Sequence, residues 1–206
     1  MYVLGDLYDW WIGDDQLGDP FAYGVAESLQ GIAAAGIPLF VAHGNRDFLL
    51  GERFVRTSGA VLLPEQTIVD LYGTRTLVTH GDELCTSDVD YQRYRARVRD
   101  PAFQRRALRM PYVARRVIAS WLRRKSSAAT ALKPEAITDV ALDAVDAAFR
   151  KHDVTRMIHG HTHRPARHHH AVDSLPRERF VLADWHDRGH WLEVDAGGAR
   201  TVDLDA

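Results

Sequence analysis

With 206 residues, 46% of them apolar, and a formal net charge of −2, the chain is long enough to build a domain with its own core and too nearly neutral for a wholesale nucleic-acid binder. The single cysteine, Cys85, excludes an internal disulfide. No apolar run reaches membrane-spanning length and no basic-then-apolar leader opens the sequence, so a cytoplasmic home is expected.

Residues 2–4 read as a short apolar strand ended by Gly5-Asp6, followed by a loop rich in aromatics and carboxylates from Leu7 to Asp15. Pro20 and Phe21 open a predicted helix to about Ala35, with Val25, Leu29 and Ile32 at helical spacing and Gly36 as its cap. Ile37–Ala42 is a predicted strand that runs into His43-Gly44-Asn45-Arg46-Asp47, and a short helix is expected around Phe48–Ser58. Val61–Leu63 and Thr67–Leu71 read as strands. A hairpin turn at Tyr72-Gly73-Thr74-Arg75 leads to a strand at Thr76–Thr79 that ends in His80-Gly81-Asp82.

Residues 88–125 differ in kind. Arginines from Arg93 to Arg124, with Lys125, interleave with Tyr91, Tyr94, Phe103, Tyr112, Val117, Ile118 and Trp121, and Pro111 is expected to divide the stretch into two helices. Ser126–Thr130 reads as a small-residue linker, and Pro134 as the start of one helix through about His152. The last third reads as strands at Arg179–Ala183, His190–Val194 and Ala199–Leu204, with Gly197-Gly198 as a turn. His168-His169-His170 reads as an exposed loop run rather than a ligand set, Trp10 and Trp11 as packing residues, and Cys85 as a buried one.

The recurring grammar is an apolar strand followed by Gly-Asp, Gly-Asn or His-Gly. In layered α/β folds ligands sit beyond the carboxyl ends of strands, so Asp6, Asn45, His80 and the histidines after Arg156-Met157-Ile158 are expected to meet at one sheet edge. In His159-Gly160-His161-Thr162-His163-Arg164-Pro165, His161 and His163 offer neutral imidazole ligands.

Gly5-Asp6-Leu7-Tyr8-Asp9, Gly44-Asn45-Arg46-Asp47, Thr79-His80-Gly81-Asp82 and Gly160-His161-Thr162-His163, in this order, resemble the motifs of calcineurin-like metallophosphoesterases. The longer strings around Asp6, Trp11–Asp15, His43–Gly51, His80–Thr86 and Ile158–Pro165, with Arg46 where most of the superfamily has histidine, resemble the UDP-2,3-diacylglucosamine pyrophosphohydrolases of the lipid A pathway. The resemblance implies an α/β fold, a metallophosphoesterase β-sandwich flanked by helices, as a single domain over residues 1–206 with an inserted basic helical lid at 88–152. It implies Mn-dependent hydrolysis of the UDP-linked lipid to UMP and 2,3-diacylglucosamine 1-phosphate, on the cytoplasmic face of the inner membrane, with no nucleic acid as partner. By motif, Asp6 would bridge a pair of Mn2+ ions about 3.5–4 Å apart. Asn45, His80 and His161 would complete one site and His163 would serve the other. Asp6, Asn45, His80 and His161 are the implied catalytic residues. Asn45, Arg46, Asp88, Ser126, Lys133 and His161 are the implied substrate contacts, Thr130 standing where the family usually has asparagine.

The family also carries an Asp-x-His motif on its first strand, and none precedes Gly5-Asp6 here. The expectations are therefore that the sequence starts inside the domain, and that the chain as written holds one metal well and the second poorly. Asp9, Asp14, Asp15, Asp47, Asp82 and His159 are expected to orient ligands. The basic segment reads either as solvated helix faces or as a lid leaning on anionic membrane. Two other functions compete: a soluble metallophosphoesterase for another nucleotide or phosphoester, and a truncated, low-activity relic that binds without turnover.

Overall fold

The computed structural model describes residues 1–130, 134–185 and 189–204. The chain folds as two compact units, Met1–Pro64 with Ser87–Thr138, and Glu65–Thr86 with Asp139–Ala206. Both mix sheet and helix.

The first unit contains a parallel sheet in the order β1 (Tyr2–Leu4), β2 (Phe40–Ala42), β3 (Val61–Leu63). Helix α1 (Pro20–Ala34) connects the first two strands and α2 (Glu52–Ser58) the next two. Asp19 caps α1, its carboxylate accepting from the N–H groups of Phe21 and Ala22 at 3.0 Å, with Pro20 at the first helical position. Ala22, Ala26 and Leu29 recur on one face and pack with Tyr8, Trp11, Val41 and Phe54 in one core. Burying each large side chain of that core contributes roughly 1.5–3 kcal/mol. Gly36 leaves α1 in the left-handed region (φ 83°), as its place after the helix predicts.

Strand β2 and helix α2 are shorter than the sequence suggests. Pro38 delays pairing until Phe40, and α2 waits for a cap supplied from far upstream. Asp14 accepts from the N–H groups of Gly51 (2.9 Å), Arg53 (2.8 Å) and Phe54 (3.3 Å). The basic stretch forms three helices rather than two: α3 (Val89–Arg99), α4 (Pro101–Leu108) and α5 (Tyr112–Thr130). Asp100 ends one helix and caps the next, accepting from the Ala102 N–H at 2.8 Å, so Pro101 marks a boundary as Pro111 does. The expected linker at Ser126–Thr130 is the last turn of α5; its alanines favour helix. The helix expected from Pro134 is broken, with α6 (Glu135–Thr138) in the first unit and α7 (Leu142–His152) in the second.

The second unit holds a five-stranded sheet in the order β4 (Gln66–Leu71), β5 (Thr74–Thr79), β6 (Arg156–His159), β8 (Leu175–Val181), β7 (Ala166–Val172). The central strands β5, β6 and β8 are parallel and the edges antiparallel. Val145, Ala148 and Phe149 of α7 pack on Leu77, Met157 and Val172. The chain breaks between α6 and α7 because Asp139–Ala141 turns to bond elsewhere: the Ala141 N–H donates to the Leu84 carbonyl at 2.9 Å. The histidine run is a strand, β7, not an exposed loop. Its turn, Asp173-Ser174, has φ 52° and 64°, the positive pair that hairpins favour, without a glycine to announce it. His168 and His170 are half-buried. A further hairpin, β9 (His190–Asp195) with β10 (Gly198–Asp203), completes the unit.

Candidate metal and phosphoryl site

In the first unit the predicted residues sit at the carboxyl ends of β1 and β2. Gly5 (φ 86°) and Asp6 (φ 53°) are both left-handed, which an aspartate adopts only under constraint, at a cost of order 1–3 kcal/mol. The constraint is visible. Asp6 Oδ1 accepts from the Arg46 N–H at 2.9 Å, and a Cβ at position 44 would run into the Asp6 amide and carboxylate, so Gly44 is required by close approach. Asn45 lies in this loop between Gly44 and Arg46. Asp47, fully buried, accepts from Leu7 N–H at 2.7 Å and Gly44 N–H at 2.6 Å, tying the two loops together. Arg46 reaches Asp6 Oδ2 at 3.6 Å and Asp9 Oδ1 at 3.2 Å and keeps 39% of its side chain exposed, leaving donors for a ligand.

The basic helices serve this loop. Arg99 donates to the carbonyls of His43 (3.2 Å) and Gly44 (3.1 Å), and Arg123 pairs with Asp9 at 3.0 Å. Arg115, buried, pairs with Asp15 and with the Ile12 carbonyl. Asp88 is buried and caps α3, accepting from the Tyr91 N–H at 3.1 Å. Ser126 lies in the last turns of α5, its side chain outside the described residues, and Lys133 lies outside them altogether.

In the second unit the ends of β5 and β6 bring His80 and His161 together. Their ring centroids are 5.0 Å apart and the planes are at 65°. His80 is buried and its carbonyl accepts from the Gly160 N–H at 3.0 Å. His161 (φ 66°) and His163 (φ 53°) are again left-handed. His159, which ends β6, is fully buried. A guanidinium only donates, so Arg179 Nη1, 3.0 Å from His159 Nε2, fixes that nitrogen as acceptor and leaves Nδ1–H to donate to the Gly160 carbonyl at 2.9 Å. Burial, then the Arg179 charge, pushes this imidazole down to about 3. His159 is thus a neutral strut with both nitrogens engaged. Gly81 (φ 104°) packs so closely on its ring that a Cβ would collide.

Sequence reasoning missed two partners on β8 and the loop after it. Asp184 Oδ2 lies 3.1 Å from His163 Nδ1, which leaves Nε2 for a ligand. Arg179 is the partner of His159. The only advance signal of either was an arginine placed within an apolar strand. Cys85 is buried, with its thiol 3.9 Å from the Gly81 carbonyl. Imidazoles with oxygen donors suit a hard or borderline divalent ion, so the residues present fit a metal.

Carboxylate and imidazole donors at strand ends, on parallel strands, are the pattern of a metal-dependent phosphoesterase. Residues 1–165 match the family model described as calcineurin-like phosphoesterase, and the chain belongs to that family. It is 48% identical over 198 residues to a UDP-2,3-diacylglucosamine hydrolase of Cellvibrio japonicus (strain Ueda107), covering 96% of this chain and 82% of that one. It is 46% identical over 202 residues to the UDP-2,3-diacylglucosamine hydrolase of Yersinia pestis bv. Antiqua (strain Angola), covering 98% and 84%.

Proposed function

We propose that this chain hydrolyses the pyrophosphate bond of UDP-2,3-diacylglucosamine, giving UMP and 2,3-diacylglucosamine 1-phosphate. The observation that carries the reading is 48% and 46% identity, over 96% and 98% of the chain, to hydrolases of that name; the exposed guanidinium of Arg46 and the adjacent rings of His80 and His161 support it. By motif, Asp6, Asn45, His80 and His161 would hold one divalent ion, and Asp6 with His163 would hold another more weakly. When bound, Mn2+ supplies Lewis acidity and a water acidic enough to ionise near neutral pH. Arg46 holds phosphoryl oxygens through its exposed donors, Asn45 and His161 orient them, and Asp88, Ser126 and Lys133 contact the rest of the substrate.

Residues 88–152 contribute the lid. Val113, Val117, Ile118 and Trp121 of α5 are exposed beside Arg116, Arg123 and Arg124, the composition that settles on an anionic lipid surface. Among the described residues no helix is long and apolar enough to cross a membrane, and the proposed association is peripheral, at the cytoplasmic face of the inner membrane.

The test is UMP release from UDP-2,3-diacylglucosamine with Mn2+, set against a generic phosphodiester. Turnover of the lipid substrate that EDTA abolishes and Mn2+ restores is expected. Turnover of the generic ester alone would return the chain to the broader phosphoesterase reading.

A further inference from the structure

The turn that carries His161 and His163 has a second set of side chains. Thr162, Arg164 and Pro165, with Asp139, Ala166, His168, Arg179 and Val181, line a cavity of about 260 Å³ within the second unit. Three features of this cavity call for an anion.

Arg179 is 4% exposed, yet among the described residues no carboxylate lies within ion-pair distance of it. Its contacts are His159 Nε2 at 3.0 Å from Nη1 and His170 Nε2 at 3.3 Å from Nε. A guanidinium only donates, so both ring nitrogens act as acceptors toward Arg179. A buried cation with no carboxylate in direct contact is costly; burial lowers the Arg179 pKa, and the charge of Asp139 offsets that only in part. Second, Thr162 Oγ1 is buried and has no hydrogen-bond partner among the described residues. Third, the one acid on the cavity wall, Asp139, is engaged by Arg164 Nη1 at 2.8 Å and by the Val140 N–H at 2.7 Å. The wall carries two guanidiniums, Arg164 and Arg179, against that one carboxylate.

We propose that this cavity is an oxyanion subsite for a phosphate monoester, with Arg179, Arg164 and the Thr162 hydroxyl as its donors. Two guanidinium forks and a hydroxyl suit the several oxygens of a tetrahedral phosphoryl group better than a planar carboxylate. Naming the ligand as a phosphoryl group of substrate or product rests on the proposed function. The anion site itself does not. Asp139 acts against the ligand: it holds Arg164 and repels the incoming charge.

The experiment is calorimetric titration of the full chain, stripped with EDTA so that no metal holds the phosphate. Inorganic phosphate, UMP and glucosamine 1-phosphate are the titrants. Saturable binding is expected, with UMP or glucosamine 1-phosphate exceeding inorganic phosphate according to which half of the substrate the cavity takes. Thr162→Val and Arg164→Gln each weaken binding about tenfold, the loss of a hydrogen bond to a charged group. Asp139→Asn, which keeps the cap on Val140, tightens it several-fold. These opposite signs separate a subsite from a structural role. Arg179→Gln is checked by thermal melting first, since a buried strand residue can cost the fold. The proposal is overturned if no titrant saturates at tens of millimolar, or if Thr162→Val, Arg164→Gln and Asp139→Asn all stay within twofold of wild type. Failure of the metal-loaded wild type to turn over UDP-2,3-diacylglucosamine would instead remove the functional reading and leave the titration to decide the subsite.

Discussion

The carboxylate loop of the first unit and the imidazole turn of the second place their functional side chains by opposite means. Around Asp6, backbone amides are aimed at carboxylates. Arg46 N–H holds Asp6, Leu7 and Gly44 N–H hold Asp47, and Gly51, Arg53 and Phe54 N–H hold Asp14. Loops carrying little regular structure are fixed by charge-assisted hydrogen bonds that cross tens of residues. Around His161, a buried side chain does the work. His159, fully buried, is pinned between Arg179 and its own turn, and the parallel ladder from β5 to β8 supplies the rigidity. In both places the functional residue is left-handed, which only a fixed surrounding sustains. The difference is in what fails first: the carboxylate loop should yield to a lost acceptor, the imidazole turn to a change of charge.

The largest effect is expected at the ligands. Asp6→Ala and His161→Ala should each reduce Mn2+-dependent UMP release by well over the ~100-fold that loss of an outer partner costs, and Asp6→Ala, which also removes the acceptor of the Arg46 N–H, should lower the melting temperature as well. A variant of either kind that kept a tenth of the activity would remove that residue from the metal. Next is Asp47→Ala, which leaves the Leu7 and Gly44 N–H groups unpaired beside a fully buried position. At roughly 1–3 kcal/mol for each orphaned group, urea denaturation should show about 3 kcal/mol lost. A loss below about 1 kcal/mol would mean that the loop is held by other contacts. Asp184→Ala frees His163 Nδ1. It should weaken Mn2+ at the His163 site about 10–100-fold in equilibrium binding while the fold stands, because an outer carboxylate orients a ligating imidazole. If affinity is unchanged, either His163 binds no metal or Asp184 does not orient it, and titration of His163→Ala tells the two apart.

What could be read in advance follows from the range of the interaction. β1, α1, β3 and the β4–β5 hairpin were legible because apolar spacing, Pro20, Gly36 and Gly73 are local signals, and the four strand-end motifs are local too. The three-helix division of the basic segment was not, since its arginines follow no apolar period and the Asp100-Pro101 boundary looks like an ordinary helix interior in charge. β7 was missed for the same reason: histidines carry no alternation, and Asp173-Ser174 makes a glycine-free turn. The expected linker at Ser126–Thr130 failed because small residues with alanine continue a helix as readily as they end one. The partnerships that place the site were beyond reach. Asp14 caps a helix 37 residues on, and Arg179 lies 20 residues from His159 on a strand two ladder steps from β5. No spacing rule announces such pairs.

The smallest expected effect tests the imidazole turn through protons. His159 is held near 3, below the ordinary value of 6.5, so the unfolded chain takes up a proton between those values that the folded chain refuses. Where the unfolded state binds more protons, stability rises with pH. The contribution of neutral His159 is therefore fully present above about 6.5 and is lost as pH falls toward 3. In EDTA-treated protein the dependence of unfolding free energy on pH between 6 and 5 should include nearly one proton from this residue, about 1.4 kcal/mol per pH unit. His159→Gln, which keeps a donor and an acceptor but cannot titrate, should be less stable at neutral pH and should flatten that slope by about one proton. An equal slope in both proteins would show that the buried ring is protonated or solvated on folding, and the account of a neutral strut under His161 would fall with it.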